Sequence, residues 1–315
     1  MERARTVYFG SGAFALPALE TLADAASPAS QLVDIAAVVT APARPAGRRG
    51  ELRPTPIALA AAWRGIPVLT PGSLRSEVSL GELRGLEPAL VVLADYGRLI
   101  PPALLELPRH GALNLHPSLL PRHRGAAPVP AAILAGDEVT GVTLMRMDEG
   151  MDTGPIVAQR EVALDGTEVA PELEARLARM GAELLGTSLA GWLDGSLLAR
   201  TQPETGATVT RPLQRADGRL DAARPAVELE RQVRALQPWP GSFLEWTSAQ
   251  GGAADRLVVW RAGLQDGDGA PVGSLVPAGE ALALQTSAGR LRLDEVQPAG
   301  GRRMSGAEYR RGHWR

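Results

Sequence analysis

The chain carries four histidines, and three of them, His110, His116 and His123, fall within one stretch of fourteen residues. It has no cysteine and no lysine, so all 33 basic side chains are arginine. Thiol nucleophiles, thiolate metal sites, Schiff bases and the lysine of a Walker-type phosphate loop are therefore excluded. Proton transfer at neutral pH is left to imidazole or to a carboxylate with a shifted pKa. In the run ALNLH, Ala112 to His116, alternation along an extended strand places Asn114 and His116 on one side and Leu115 on the other. Pro117 biases His116 toward an extended backbone and preserves that geometry. An amide N–H and an imidazole N–H aimed at one point form a donor set suited to the negative oxygen of a tetrahedral intermediate. An isolated N-x-H pair fits a hydrogen-bonded strand end equally well.

A second constellation is MDEGMDTGPI, with Asp148, Glu149 and Asp152 around Gly150 and Gly154. Acidic residues are also common in tight turns for purely local reasons. The ligand spacing of an EF-hand is absent, and the histidine spacings of six and seven suit no usual ligand pair, so no metal is expected. Two arginine clusters stand out against a net charge of −2: Arg44, Arg48, Arg49 and Arg53 near Gly47 and Gly50, and Arg302, Arg303, Arg310, Arg311 and Arg315. Each is either a solvated surface or a set of guanidinium forks for phosphate. FGSGAF, Phe9 to Phe14, lacks the G-x-G-x-x-G spacing of a dinucleotide turn.

The elements that must position these groups follow from hydrophobic patterning. TVYF from Thr6, VDIAAVVT from Val33, ALVVLAD from Ala89 and ALNLH read as strands, with helices at Leu16 to Ala25 and Pro56 to Trp63, the latter capped by Thr55. After VTLMRM and IVAQREV a long helical pattern runs from about Val169 to Leu193 and closes at Gly195. This alternation predicts a parallel sheet covered by helices, whose ligands bind beyond the C-terminal ends of the strands. TQPETGATVTRP, Thr201 to Pro212, reads as a linker, dividing the chain into domains 1–200 and 213–315. Beyond a helix at Ala226 to Leu236, the runs SFLEW, RLVVW, ALALQT and LRLDEV suggest a small β-barrel or sandwich. No apolar run reaches the ~18 residues of a membrane span, and the start lacks a signal-peptide pattern, so a cytoplasmic location is expected.

Together these segments resemble the methionyl-tRNA formyltransferase family of folate-dependent formyltransferases. The likeness rests on NLHPSLLPRHRGAAP, Asn114 to Pro128, followed by GVTLMRMDEGMDTG, Gly141 to Gly154, and is supported by DYGRLIP, RPAGRRG and RALQPWPGSF. It implies an N-terminal Rossmann-like open sheet with helices on both faces and a smaller C-terminal OB-like barrel. Catalysis would fall to Asn114, His116 and Asp152. 10-Formyltetrahydrofolate, the formyl donor, would be held by Asp95, Tyr96, Gly97, Leu99, Ser118, Leu119, Leu120, Pro121 and Asp148. The acceptor would be initiator tRNA charged with methionine, gripped by Arg44, Arg48, Arg49, Arg302 and Arg303; a monomer is expected. Other readings of the same residues are formyl transfer to an amino-sugar nucleotide or glycinamide ribonucleotide, hydrolysis of formylfolate, and non-catalytic RNA binding. The sequence departs from the family pattern at GSGAFA, at Asp95 where a small residue is usual, at Pro130 where glutamine is common, and in VTRPLQRADGRLDAA, which lacks the usual tyrosine, lysine and tryptophan.

Overall fold

The computed structural model describes residues 2–46, 50–246, 255–267 and 269–313, with only the backbone of Ala46, Trp246 and Asp255. Arg48, Arg49 and Arg315 lie outside the described residues. In chain order the elements begin with β1 (Ala4–Gly10), α1 (Leu16–Ala23), β2 (Val33–Val39), β3 (Arg44–Ala46), β4 (Glu51–Arg53), α2 (Pro56–Trp63), β5 (Val68–Leu69) and α3 (Glu77–Gly85). They continue with β6 (Leu90–Ala94), α4 (Pro102–Leu105), β7 (Ala112–His116), β8 (Arg124–Gly125), α5 (Pro128–Ala135), β9 (Val139–Arg146), β10 (Ile156–Ala163), α6 (Ala170–Asp194) and β11 (Val209–Thr210). Last come α7 (Ala226–Ala235), β12 (Ser242–Trp246), β13 (Asp255–Gln265), β14 (Leu275–Ala278), β15 (Ala281–Gln285), β16 (Arg290–Pro298), β17 (Met304–Ser305) and α8 (Gly306–His313).

The chain divides into two compact units, one of Met1–Pro128, Val139–Ala163 and Glu174–Thr210, the other of Val129–Glu138, Leu164–Leu173 and Arg211–Arg315. The first unit is built on a seven-stranded sheet in the order β10-β9-β7-β6-β1-β2-β5. All neighbouring pairs are parallel except those made by β9, which is antiparallel to both β7 and β10. Chain order runs from β1 out through β2 to β5 and then returns to β6 on the other side of β1, so a switch point lies between β1 and β6. Every residue of β6 is buried, as a central strand packed on both faces requires.

Paired residues of a ladder share a face. Val91, Leu93 and Ala112 therefore lie on one side with Leu80 and Leu83 of α3, and Asn114, opposite Leu93, faces the same way. Leu115 points to the other side, where Gly181 of α6 passes close to it and to Val142. Helices thus cover both faces, and the alternation read from ALNLH is realised.

Helix ends follow the local chemistry. Thr55 accepts the Ala58 N–H at 3.0 Å and Pro56 opens α2, as the sequence indicated. Four helices, α3, α4, α5 and α8, lie beyond those read from the sequence. In α5 both Pro128 and Pro130 sit in the first turn, where their missing N–H groups have no intrahelical partner to lose. In α8 a reciprocal Ser305–Glu308 capping box starts the helix that carries Arg310 and Arg311.

The second unit contains an antiparallel sheet in the order β12-β13-β16-β15-β14, with β17 added beside β16. Its core joins Leu229 and Val233 of α7, Leu257 and Val259 of β13, Leu282 and Leu284 of β15, Leu291 and Leu293 of β16, and Tyr309 of α8. Residues 201–210, read from the sequence as part of a linker, belong to the first unit: β11 pairs in parallel with β8. Among the described residues no helix is long and apolar enough to cross a membrane.

Leu229 is fully enclosed. Leu229→Ala is expected to destabilise the second unit by about 3 kcal/mol, the usual cost of a buried leucine truncation, measured as a lowered urea midpoint by tryptophan fluorescence.

Candidate active site

The site begins on β7. Asn114 and His116 are 6% and 4% exposed and project from the same face of the strand. The β9–β10 loop brings Asp152 to them by folding back over that face. Gly154 permits the fold, because a Cβ there would stand 1.9 Å from the Arg146 carbonyl oxygen. Asp152 itself takes φ +54°, an uncommon conformation for a side-chain-bearing residue that must be held by its surroundings.

The Asp152 carboxylate is the hub. Its Oδ2 accepts the Gly125 N–H at 2.8 Å and lies 3.6 Å from His116 Nδ1, while Oδ1 accepts from Asn114 Nδ2 at 3.4 Å. His116 Nε2 is 2.9 Å from the His123 carbonyl oxygen, which can only accept, so Nε2 carries a proton. The nitrogen free to gain or lose a proton is therefore Nδ1, which faces the acid. In the absence of substrate both donors converge on Asp152. These two contacts are long, whereas the Gly125 contact is of ordinary length. A reacting oxygen can capture the two donors at small cost while the backbone amide keeps the carboxylate in place. Asn114 Oδ1 is buried and has no hydrogen-bond partner among the described residues, an acceptor suited to an N–H of a bound molecule.

The loop after β7 is fixed by enclosed polar contacts. Ser118 is fully buried; its Oγ donates to the Arg122 carbonyl at 2.6 Å, and its carbonyl accepts from Thr143 Oγ1 at 2.6 Å. Leu120 is buried with Met145 and Ile156, while Leu119 and Pro121 are partly open. The side chains of Ser118 and Leu120 thereby fix the shape of the loop that follows β7. His123 takes φ +59° and its N–H donates to Thr208 Oγ1 at 2.8 Å. His110 lies before the opposite end of β7, roughly 20 Å along the strand direction from His116. Among the described residues no cluster of three or more His, Asp or Glu could hold a metal ion.

A cavity of about 340 Å³ opens at the C-terminal ends of β1 and β6, at the switch point, lined by Ser11, Thr55, Asp95, Tyr96, Arg44 and Arg53 among others. Gly97 and Asp148 are exposed, as is Leu99. Asp95 takes φ +43°, and its carbonyl accepts the N–H groups of Ser11 and Gly12 at 2.9 and 3.3 Å. Its carboxylate fills the space that a Cβ on Gly12 would need. Arg302 and Arg303, in the second unit, pair with Glu308 and Glu295 at 3.5 and 3.7 Å, and Arg303 also stacks over Trp260.

The formyl transferase family model matches residues 4–189, and the model of the formyl transferase C-terminal domain matches residues 212–313. The chain belongs to the formyltransferase family. Its chemistry is one-carbon formyl transfer from a folate-derived donor. Among its relatives are the methionyl-tRNA formyltransferases of Myxococcus xanthus, 41% identical over 99% of this chain and 96% of the relative, and of Chloroflexus aurantiacus, 42% identical over 97% and 96%. Solved structures of similar fold include an N-formyltransferase of Helicobacter canadensis in complex with folinic acid and dTDP-3-aminofucose, at TM-score 0.66 and 16% identity, covering 92% of this chain and 98% of that one. Another is HypX of Aquifex aeolicus in complex with tetrahydrofolic acid, at TM-score 0.63 and 15% identity, covering 98% of this chain and 47% of that one.

Two polar residues beside the site were missed in the sequence. Gln202 and Arg124, 5% and 6% exposed, form a buried pair behind the Asp152 loop. Gln202 stands in a polar stretch that reads as solvated, and Arg124 in an arginine-rich loop, so neither carried a signal of burial.

Asp95 gives the site a pH dependence. It reaches solvent through the cavity mouth, yet burial on its other sides pushes its carboxyl up to about 6, with Glu174 adding to the rise. Between the ordinary 3.8 and about 6 the folded protein binds a proton that the unfolded chain has lost, so stability falls as pH rises through that window. Asp95→Asn should abolish this fall and leave the variant more stable than the parent at neutral pH but not in acid. Urea midpoints measured across the window test this; parallel profiles for the two proteins would contradict it.

Proposed function

We propose that this formyltransferase moves the formyl group of 10-formyltetrahydrofolate onto the free amino group of methionyl initiator tRNA, as a cytoplasmic monomer acting in translation initiation. The observation that carries the reading is the convergence of Asn114 and His116 on Asp152, in a chain similar over nearly its whole length to proteins named for that acceptor. Arginines are its favoured means of meeting phosphate, and Arg44, Arg48, Arg49, Arg302 and Arg303 are assigned to the tRNA backbone. The turn of Asp95, Tyr96, Gly97 and Leu99, with Ser118, Leu119, Leu120, Pro121 and Asp148, holds the folate.

The folate supplies the formyl carbon. Asn114 Nδ2–H and His116 Nδ1–H, the latter on a protonated ring, turn from Asp152 to the carbonyl oxygen as it gains negative charge. Asp152, anchored by the Gly125 N–H, keeps His116 oriented and takes, directly or through water, the proton that the attacking nitrogen sheds; the intermediate then collapses with cleavage of the bond from the formyl carbon to folate N10, and that proton passes to N10 as tetrahydrofolate leaves. An α-amino group has an ordinary pKa near ~8, so a proton acceptor beside it raises the share of reactive amine. His116 keeps its Nε2–H on the His123 carbonyl throughout, so the ring needs little reorganisation during the step.

Asp152→Asn retains the size and backbone preference of the residue but removes the charge. It should lower turnover by about 100-fold or more while leaving KM for either substrate within a few-fold. Acceptor choice is tested by offering labelled formylfolate with methionyl initiator tRNA, with charged elongator tRNA, or with an amino-sugar nucleotide. Label is expected on the initiator tRNA, and preferential labelling of the sugar nucleotide would overturn the assignment.

A further inference from the structure

We infer that Gln202 is a positioning residue for the transfer reaction: its amide, aimed by Arg124, clamps the backbone of the Asp152 turn so that the carboxylate stays turned to Asn114 and His116. The inference rests on the catalytic reading of Asp152 above. Gln202 Nε2 donates to two carbonyl oxygens, those of Asp152 at 2.8 Å and Gly154 at 2.7 Å. Its Oε1 accepts from Arg124 Nε at 3.1 Å. The orientation of this amide is unambiguous, because carbonyls only accept and a guanidinium only donates; the reversed amide would oppose like groups at all three contacts.

What the clamp opposes is the conformation of Asp152. A non-glycine residue at φ +54° is strained and persists only where its neighbours over-determine it. Gln202 grips the carbonyls on either side of Thr153, so relaxing Asp152 toward an ordinary extended or helical φ would break both bonds inside the protein, where water cannot replace them. The Asp152 carboxylate would then leave the Gly125 N–H and swing from His116.

Arg124 ties the clamp to the rest of the site. Its guanidinium is almost wholly buried, Nη2 makes no hydrogen bond among the described residues, and the same nitrogen lies 3.6 Å from the carboxylate of the exposed Glu204. Its backbone sits in β8, between the His123 carbonyl that holds His116 Nε2 and the Gly125 N–H that holds Asp152. The segment bearing Gln202 returns to the same loop: Arg124 N–H donates to the Thr208 carbonyl at 2.9 Å, and Thr210 Oγ1 donates to the Arg124 carbonyl at 3.0 Å. Residues 202–210 thus grip the turn of the acid and the loop of the imidazole together, and Gln202 is the contact that reaches the acid.

The test uses Gln202→Met, which keeps the length of the side chain and removes its polar atoms, in the full chain. Turnover at saturating substrates should fall about 10- to 100-fold with KM for folate and acceptor within about 3-fold. In an Asp152→Asn background the same change should lower the residual rate by less than about 2-fold, since a residue acting through Asp152 has nothing left to position. The 15N signals of the His116 ring in Gln202→Met should move toward those of Asp152→Asn. Turnover within 2-fold of the parent, or full losses that multiply in the double variant, would overturn the inference. Should Gln202→Met not fold, judged by circular dichroism, Gln202→Glu replaces it, keeping the Arg124 contact while losing both donors. If the parent protein formylates no acceptor, the catalytic reading fails. The His116 signals then decide alone, and their staying unmoved in a folded Gln202 variant would refute the clamp.

Discussion

The tight bond from the Gly125 amide to Asp152 Oδ2 is the contact on which the rest of the site depends. It holds a carboxylate between an amide and an imidazole without consuming either. A carboxylate bonded closely to both would neutralise them, and one held by neither would rotate into solvent. Fixing it from the backbone leaves the two side chains in looser contact, so that they remain available to charge developing elsewhere. The geometry therefore combines order in the acid with freedom in the donors.

Such an arrangement must be enforced by backbone, and the surrounding loops are built accordingly. Asp95, His123 and Asp152 are three of only four side-chain-bearing residues with positive φ among the described residues, and all three lie at the cavity or the catalytic loops. Each is tied by hydrogen bonds from a different stretch of chain: Asp95 by the turn after β1, His123 by Thr208, Asp152 by Gly125 and Gln202. Local strain is thereby balanced by long-range contacts. The sheet supplies the platform, since β7 presents Asn114 and His116 from a ladder buried on both sides.

Much of the platform was legible in the sequence because periodicity reports burial. ALNLH, the Thr55–Pro56 start of α2 and the long run of α6 each carry a repeating apolar pattern or an end signal that needs no tertiary information. The N-x-H pair followed from strand alternation alone. The meeting of Asp152 with that pair did not, because it depends on a loop that reverses over the sheet, and no local pattern encodes a reversal of that kind. Gln202 was illegible for a related reason: an amide in a polar stretch has the composition of solvated chain whether or not its partners enclose it. Helix α5 was hidden because prolines in a first turn and prolines in a loop look alike without the neighbouring chain.

The close approach of Gly12 to the Asp95 carboxylate, 1.7 Å from where a methyl carbon would stand, makes those two positions share a single volume. Either one may project a group into it, never both. A methyl at position 12 would displace the acid head from where it now stands. Divergence at one of these positions is therefore conditional on the other, and the acid at 95 keeps its present seat only against the bare backbone it leans on.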